Sequence, residues 1–334
     1  MARKPEVAAA LFLFAGWALS VTDAFGLTER RVERRFDVPA AATLKIDAFS
    51  GAVHVSMGSA RVIEVTVTEQ ANVEKTEDMD VRVNDLDLQM TATATGVEIR
   101  TRYNKHATWS WNGWPPLLLS YEIKVPERCD VQVLTLDGGI VVGALKGKLD
   151  LANDSGPIFT GEIDGEIKAY SRIGDIAITA CTGAIKAHTR TGNVTVGRAQ
   201  GRTELSSDGG YIELQRAAGE VLVRGSGTDA KIGFVPPIKS PAKITTSGGE
   251  ITLVMETSSA CTLDLSASIF GRVKVRNLAI NATGGGVARS HLAGTVNGGG
   301  PLISADANGG NIFVRGLDPL PAADVDDPTK LPQK

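Results

Sequence analysis

A chain of 334 residues, 43% hydrophobic and 22% charged, has bulk for a real core and too ordinary a composition for wholesale disorder. Its 35 basic and 38 acidic residues leave a formal charge of −3, which provides no basic field to gather nucleic acid. Glycine is abundant (37) and aromatics are scarce (5%), and the length suits one large β domain or two ordinary ones.

The first element, residues 1–26, reads as a secretory signal peptide. Arg3 and Lys4 supply its positive start and an apolar run extends from Val7 to Val21. Ala24 and Gly26 then occupy the small-residue positions before a cut ahead of Leu27. The run is short of the roughly 20 residues that a membrane span needs, and no cysteine follows it to carry a lipid. A cleaved chain is therefore expected to be secreted, or to work in the periplasm or cell envelope, with no membrane span in its mature form.

Residues 27–137 form an N-terminal β region leading into a regular glycine repeat that begins at Gly138. "RRFDVPAAATLKIDAFSGAVHVSMGSARVIEVTVTEQAN" alternates like strands and has its own corner at Gly51, whereas "NVEKTEDMD" is a short helix or a polar excursion. Further on, "WSWNGWPP" holds Trp109, Trp111 and Trp114, every tryptophan beyond the predicted cut. Two readings stay open for this segment. It is a hydrophobic plug over a solenoid end or sheet, or a patch on which sugars or a partner stack.

From 138 to 227 the pattern becomes regular. Glycine falls at 138, 147, 156, 165, 174, 183, 192, 201, 210 and 219, and an aliphatic residue or Thr203 follows two places after each. This is the two-residue alternation of short strands with one buried face, and each glycine supplies a corner where positive φ costs nothing. Seven places past alternate glycines stand Leu145, Ile163, Cys181, Ala199 and Ala217. Between them stand Asp154, Arg172, Arg190, Asp208 and Ser226, so the true repeat is eighteen residues with two strands. Coils of this kind stack into a parallel β-solenoid (parallel β-helix), right-handed by the crossover rule. Residues 228–317 repeat the device irregularly, and the proline-rich polar tail 318–334 reads as disordered.

These "G-x-I-x-V" units resemble the bacterial putative adhesin family, catalogued as domain of unknown function 4097. "YEIKVPERCDVQVLTLDGGIVV" (121–142) resembles its opening segment and "NGGGPLISADANGGNIFVRG" (297–316) its closing one, the likeness covering about residues 36–316. The resemblance implies a β-helix-like fold in a bacterial envelope or secreted protein. It supplies no agreed activity and no catalytic residue.

Polysaccharide lyases and hydrolases also use β-helices, and they need carboxylates gathered on one outward face. Here the outward rows Asp150, Lys168, Lys186, Glu204 and Lys148, Glu166, Arg202, Glu220 mostly alternate in sign, which is charge pairing on a wet face. His54, His106, His188 and His291 show no ligand spacing, so no metal or cofactor is expected. Cys181 reads as a buried, inert thiol, while the pairing state of Cys129, Cys181 and Cys261 is left open. The other sheet presents Val141, Phe159, Ala177, Thr195, Glu213 and Gly139, Pro157, Asp175, Asn193, Tyr211 outward, and one half of it is nearly uncharged. Either another part of the chain covers that face, the reading this pattern favours, or it is a partner surface. The leading expectation is a non-catalytic scaffold or adhesin-like binding module, with a glycan or envelope protein as partner. Its candidate surface comprises Trp109, Trp111, Trp114, Val141 and Phe159. The alternatives are a carbohydrate-active β-helix enzyme and an envelope-stress sensor with a membrane partner.

Overall fold

The computed structural model describes residues 27–318, apart from 73–79, 81–82, 104–116, 269 and 284–289. The expected signal peptide, the three tryptophans and nearly all of the tail fall outside these residues.

The described chain is a parallel β-solenoid with two long sheets facing each other across one core. The eighteen-residue register is met pair by pair. In the first sheet Ile140, Ile158, Ile176, Val194 and Ile212 are successive partners, and in the second Val131, Leu149, Ile167, Ile185 and Thr203. Strand alternation turns these residues inward. Ile167–Ile173 buries Ile167, Ala169 and Ser171 and leaves Lys168 and Tyr170 exposed. Each buried aliphatic contributes roughly 1.5–3 kcal/mol, against about 1–2 kcal/mol of backbone ordering per residue, so a coil gains stability only when stacked.

Glycine is required at the corners for two different reasons. At the turn into the first sheet Gly156, Gly174 and Gly192 have φ of +126°, +153° and +147°, as the sequence suggests. At the turn into the second sheet Gly165, Gly183 and Gly201 have no such φ; there a Cβ would collide with the carbonyl oxygen of the glycine one coil below. A Cβ on Gly156, Gly174 or Gly192 would meet the same clash, so close stacking holds both rows, and positive φ, present in the second row at Gly147, adds to it chiefly in the first.

The column also holds a buried polar ladder. Asn153, Ser171, Thr189 and Ser207 lie in register inside one corner, each 0–1% exposed. Their side chains donate to the carbonyls of Gly138, Gly156, Gly174 and Gly192 at 2.5, 3.2, 2.9 and 3.0 Å. Turn carbonyls that point into the core are thereby satisfied, as buried polar groups must be. On the opposite corner Leu145, Ile163, Cys181, Ala199 and Ala217 form the expected small-apolar row, all buried. The three cysteines are free and buried. Burial raises the thiol pKa of each, to about 12 for Cys129 and about 11 for Cys261.

At both ends the coils stack out of chain order. Strands Ala42–Ala48 and Ala52–Met57, the first coil in the chain, lie between the coil of Gly96–Tyr103 and Leu118–Val125 and the coil beginning at Cys129. Strands Leu302–Asn308 and Ile312–Leu317, the last coil, are inserted between Ala242–Ser247 and Ile251–Glu256 on one side and Cys261–Ala267 and Val273–Arg276 on the other. Antiparallel strands close the stack. Leu27–Asp37 and Val62–Asn72 extend the first sheet, Leu86–Ala92 and the pair Asn281–Ala282 with His291–Val296 the second. The outermost strand Leu27–Asp37 carries four arginines and three acids, which discourages further strand pairing.

Candidate functional site

Among the described residues the interior is filled by one cluster of buried, mostly aliphatic side chains, and the candidate sites lie on outward faces. Several acidic side chains there are engaged by cations. Arg172 grips Asp154 through two hydrogen bonds of 2.5 and 2.7 Å and holds that carboxyl below its ordinary pKa. Glu166 pairs with Lys148 at 3.4 Å, Glu204 with Arg202 at 2.7 Å and Glu213 with Lys231 at 2.9 Å. Among the described residues no group of three or more His, Cys, Asp or Glu is placed to hold a metal ion. His54, His188 and His291 are far apart in the register, and His106 falls outside the described residues.

The nearly uncharged face belongs to the first sheet. Val141, Phe159, Ala177 and Thr195 follow one another up it. Val141 is 39% and Phe159 43% exposed, so the covering by another part of the chain that the sequence favours is not seen over these side chains. The row beside them is Gly143, Gly161, Thr179 and Gly197, so that only Thr179 carries a side chain there.

Trp109, Trp111 and Trp114 lie outside the described residues, and only the strands flanking them in sequence are described. The coil of Gly96–Tyr103 and Leu118–Val125 pairs with its neighbour at an offset of 53 residues on the second sheet (Thr43 with Gly96) and 68 on the first (Ala52 with Ser120). The described strands Gly96–Tyr103 and Leu118–Val125 are therefore separated by fifteen more residues than the paired strands of the neighbouring coil. These strands carry aromatic residues that are largely buried. Tyr103 meets Phe49 edge-on at 5.4 Å and donates to the Leu117 carbonyl at 3.4 Å, and the buried Tyr121 donates to Thr101 at 2.8 Å.

The outward face of the second sheet shows an order that single rows conceal. Read coil by coil along the strands, its residues are Asp150, Ala152, Asp154; then Lys168, Tyr170, Arg172; then Lys186, His188, Arg190; then Glu204, Ser206, Asp208, with Lys148, Glu166, Ala184 and Arg202 in the row at the corner before them, where Glu166 pairs with Lys148 and Arg202 with Glu204. Two basic coils thus lie between two acidic ones. The expected sign alternation holds at the outer boundaries, Asp150 with Lys168 and Lys186 with Glu204, and fails in the middle, where Lys168 is the partner of Lys186. Tyr170 and His188 stack between the cations with ring centroids 5.5 Å apart, and His188 Nδ1 lies 2.7 Å from Ser206 Oγ. Row-wise reading missed this band; setting the corner residues Arg172 and Arg190 beside the lysines of the same coils is the signal that finds it.

Comparison with known proteins adds little to this geometry. No family model matches the chain, and no curated protein matches it in sequence. Among solved structures it is similar to a putative adhesin from Bacteroides fragilis, at 10% identity over 86% of this chain and 97% of that one, with a TM-score of 0.39. It is similar to a putative lipid binding protein from Parabacteroides distasonis, at 9% identity over 85% and 96% of the two chains, with a TM-score of 0.40. A putative cell adhesion protein from Clostridium sporogenes is 10% identical over 87% of this chain and all of that one, with a TM-score of 0.23. Likeness at that level carries neither a family nor a function to this chain, and the β-solenoid assignment rests on its own strand ladders.

Proposed function

We propose that this chain is an extracytoplasmic, non-catalytic β-solenoid that serves a bacterial envelope as a scaffold and adhesin-like binding surface. The observation that carries the reading is the division between inside and outside. Aliphatic rungs fill the column, while Val141, Phe159, Tyr170 and Ile173 stand 39–46% exposed on its outward faces. Side chains held at fixed rungs on a rigid ladder suit recognition of an extended partner, a glycan or an envelope protein, better than turnover of a small substrate. The extracytoplasmic part rests on the signal-like residues 1–26.

Three measurements test the reading. N-terminal sequencing of the exported protein should give Leu27 as its first residue; a retained Arg3–Val21 segment would favour the membrane-partnered sensor instead. Glycan-array and envelope-extract binding should be positive and should weaken when Trp109, Trp111 and Trp114 are replaced by alanine together. Release of reducing or unsaturated ends from a polysaccharide would overturn the non-catalytic part.

A further inference from the structure

We propose that the basic band of the second sheet binds an acidic polysaccharide, a chain of uronate-bearing sugars laid on Lys168, Tyr170 and Arg172 of one coil and Lys186, His188 and Arg190 of the next. The proposal rests on the binding-surface reading above and names the ligand class and the face.

Charge placement is the first argument. Lys168 and Lys186 are direct partners in the parallel ladder, on strands roughly 4.8 Å apart, and Arg172 and Arg190 occupy equivalent places four residues along. Like charges at such partner positions destabilise a sheet unless something outside neutralises them. The flanking acids do so only in part. Asp154 is taken by Arg172, and Glu204 is drawn to Arg202 on its own strand. Lys168, Lys186 and Arg190 make no ion pair within 4.0 Å among the described residues, although the Arg190 charge, after that of Arg172, helps to hold the Asp154 carboxyl below its ordinary pKa.

Shape is the second argument. The lysine and arginine columns stand about 13 Å apart along the strand, too far for one phosphate or sulfate to bridge, and suited to a ligand carrying several separated charges. Between them the stacked Tyr170 and His188 offer hydrogen-bonding groups and ring surface, and Ile173, 46% exposed, extends the apolar strip toward the corner. A flat surface that alternates cations with aromatic rings fits carboxylated sugars, whose rings have apolar faces and polar rims. The acidic coils on either side confine such a chain to the two basic ones by repulsion.

The test uses the full chain and measures binding to polygalacturonate, to neutral dextran and to polyglutamate at low and at physiological salt. Polygalacturonate should bind, dextran should not, and polyglutamate should bind at least tenfold more weakly because it lacks sugar rings. The triple variant Lys168→Gln, Lys186→Gln, Arg190→Gln should lose at least tenfold in affinity for polygalacturonate. Its melting temperature should stay within a few degrees of the parent value, because all three side chains point outward. Tyr170→Ala should weaken binding severalfold at unchanged salt dependence. Equal binding of polyglutamate, or parent-like affinity of the triple variant, overturns the proposal. Array binding to other glycans that the triple variant leaves intact would sink this band yet keep the general surface reading; a chain that binds no glycan and no envelope protein sinks both.

Discussion

Pro157 lies directly above Gly139 in one corner column of the first sheet, and each lacks what its neighbours there use. At three other places in that column an Asp or Asn side chain accepts the backbone N–H one coil on, Tyr211 being an exception. Asp175 accepts from Asn193 at 2.8 Å, Asn193 from Tyr211 at 3.0 Å and Asp229 from Glu250 at 2.8 Å. Gly139 has no side chain to offer and Pro157 has no N–H to be met, so both halves of the bond are missing together. Restoring both should couple. Gly139→Asp and Pro157→Ala should each be neutral or destabilising alone, while the double variant should be more stable than their sum by about 0.5–1.5 kcal/mol. Denaturant melts of the four proteins measure this, and strict additivity would show that the side-chain column contributes nothing to register.

Thr160 interrupts the rung formed by Val142, Ile178 and Val196. Its hydroxyl is buried and has no hydrogen-bond partner. Valine has nearly the same shape without the orphaned oxygen, so Thr160→Val should stabilise the column by about 1 kcal/mol, read as a raised denaturant midpoint at unchanged slope. A lower midpoint would mean that the hydroxyl is met in solution.

The repeat itself was open to sequence reading because every coil obeys one local rule. Ile158, Ile176 and Val194 recur two places past a glycine, and burial puts them in register. Cys181 was legible in the same way, by its place in a column of small apolar residues. The inner ladder of Asn153, Ser171, Thr189 and Ser207 was missed although it has a signal, short hydrogen-bonding side chains six places past alternate glycines. Strand alternation alone files such residues as ordinary inward positions. The order of the end coils has no comparable signal. Ala42 pairs with Cys129 and Ala242 with Ile303, separations of 87 and 61 residues, and a glycine-and-aliphatic strand looks the same whichever neighbour it stacks on. As for the candidate surface, Val141 and Phe159 are found exposed, while the tryptophans fall outside the described residues.

Glu69 gives the N-terminal end a pH dependence. It faces the core from Val62–Asn72, only 1% exposed, with Arg30 Nε at 3.6 Å and Oε2 unbonded. Burial raises its pKa above the ordinary carboxylate value, and the Arg30 charge opposes this incompletely. A raised folded pKa means that the neutral acid is the form the fold prefers. The associated stability is present below about pH 4.5 and is lost as the pH rises through the folded value. Glu69→Gln should therefore gain in melting temperature relative to the parent as the pH is taken from 4 to 7. A parent protein that gains on the variant over that range would show instead that the Arg30 pair dominates.

Ending the chain after Gly300 tests the inserted coil. The cut removes Leu302–Asn308 and Ile312–Leu317, the seat on which Cys261–Ala267 and Val273–Arg276 rest. Those outer strands remain in the shortened chain, yet Cys261–Ala267 keeps only its antiparallel partner His291–Val296, and Val273–Arg276 loses its ladder. A ribbon of two or three short strands without a packed face is marginal in water. Hydrogen exchange should therefore show residues 261–296 losing protection about 100-fold or more, while the coils from Ile158 to Ala217 keep theirs. Retained protection at Cys261–Ala267 would mean that this strand docks directly on Ala242–Ser247. The last coil of the chain would then be an addition to the column and not the piece that holds its end in place.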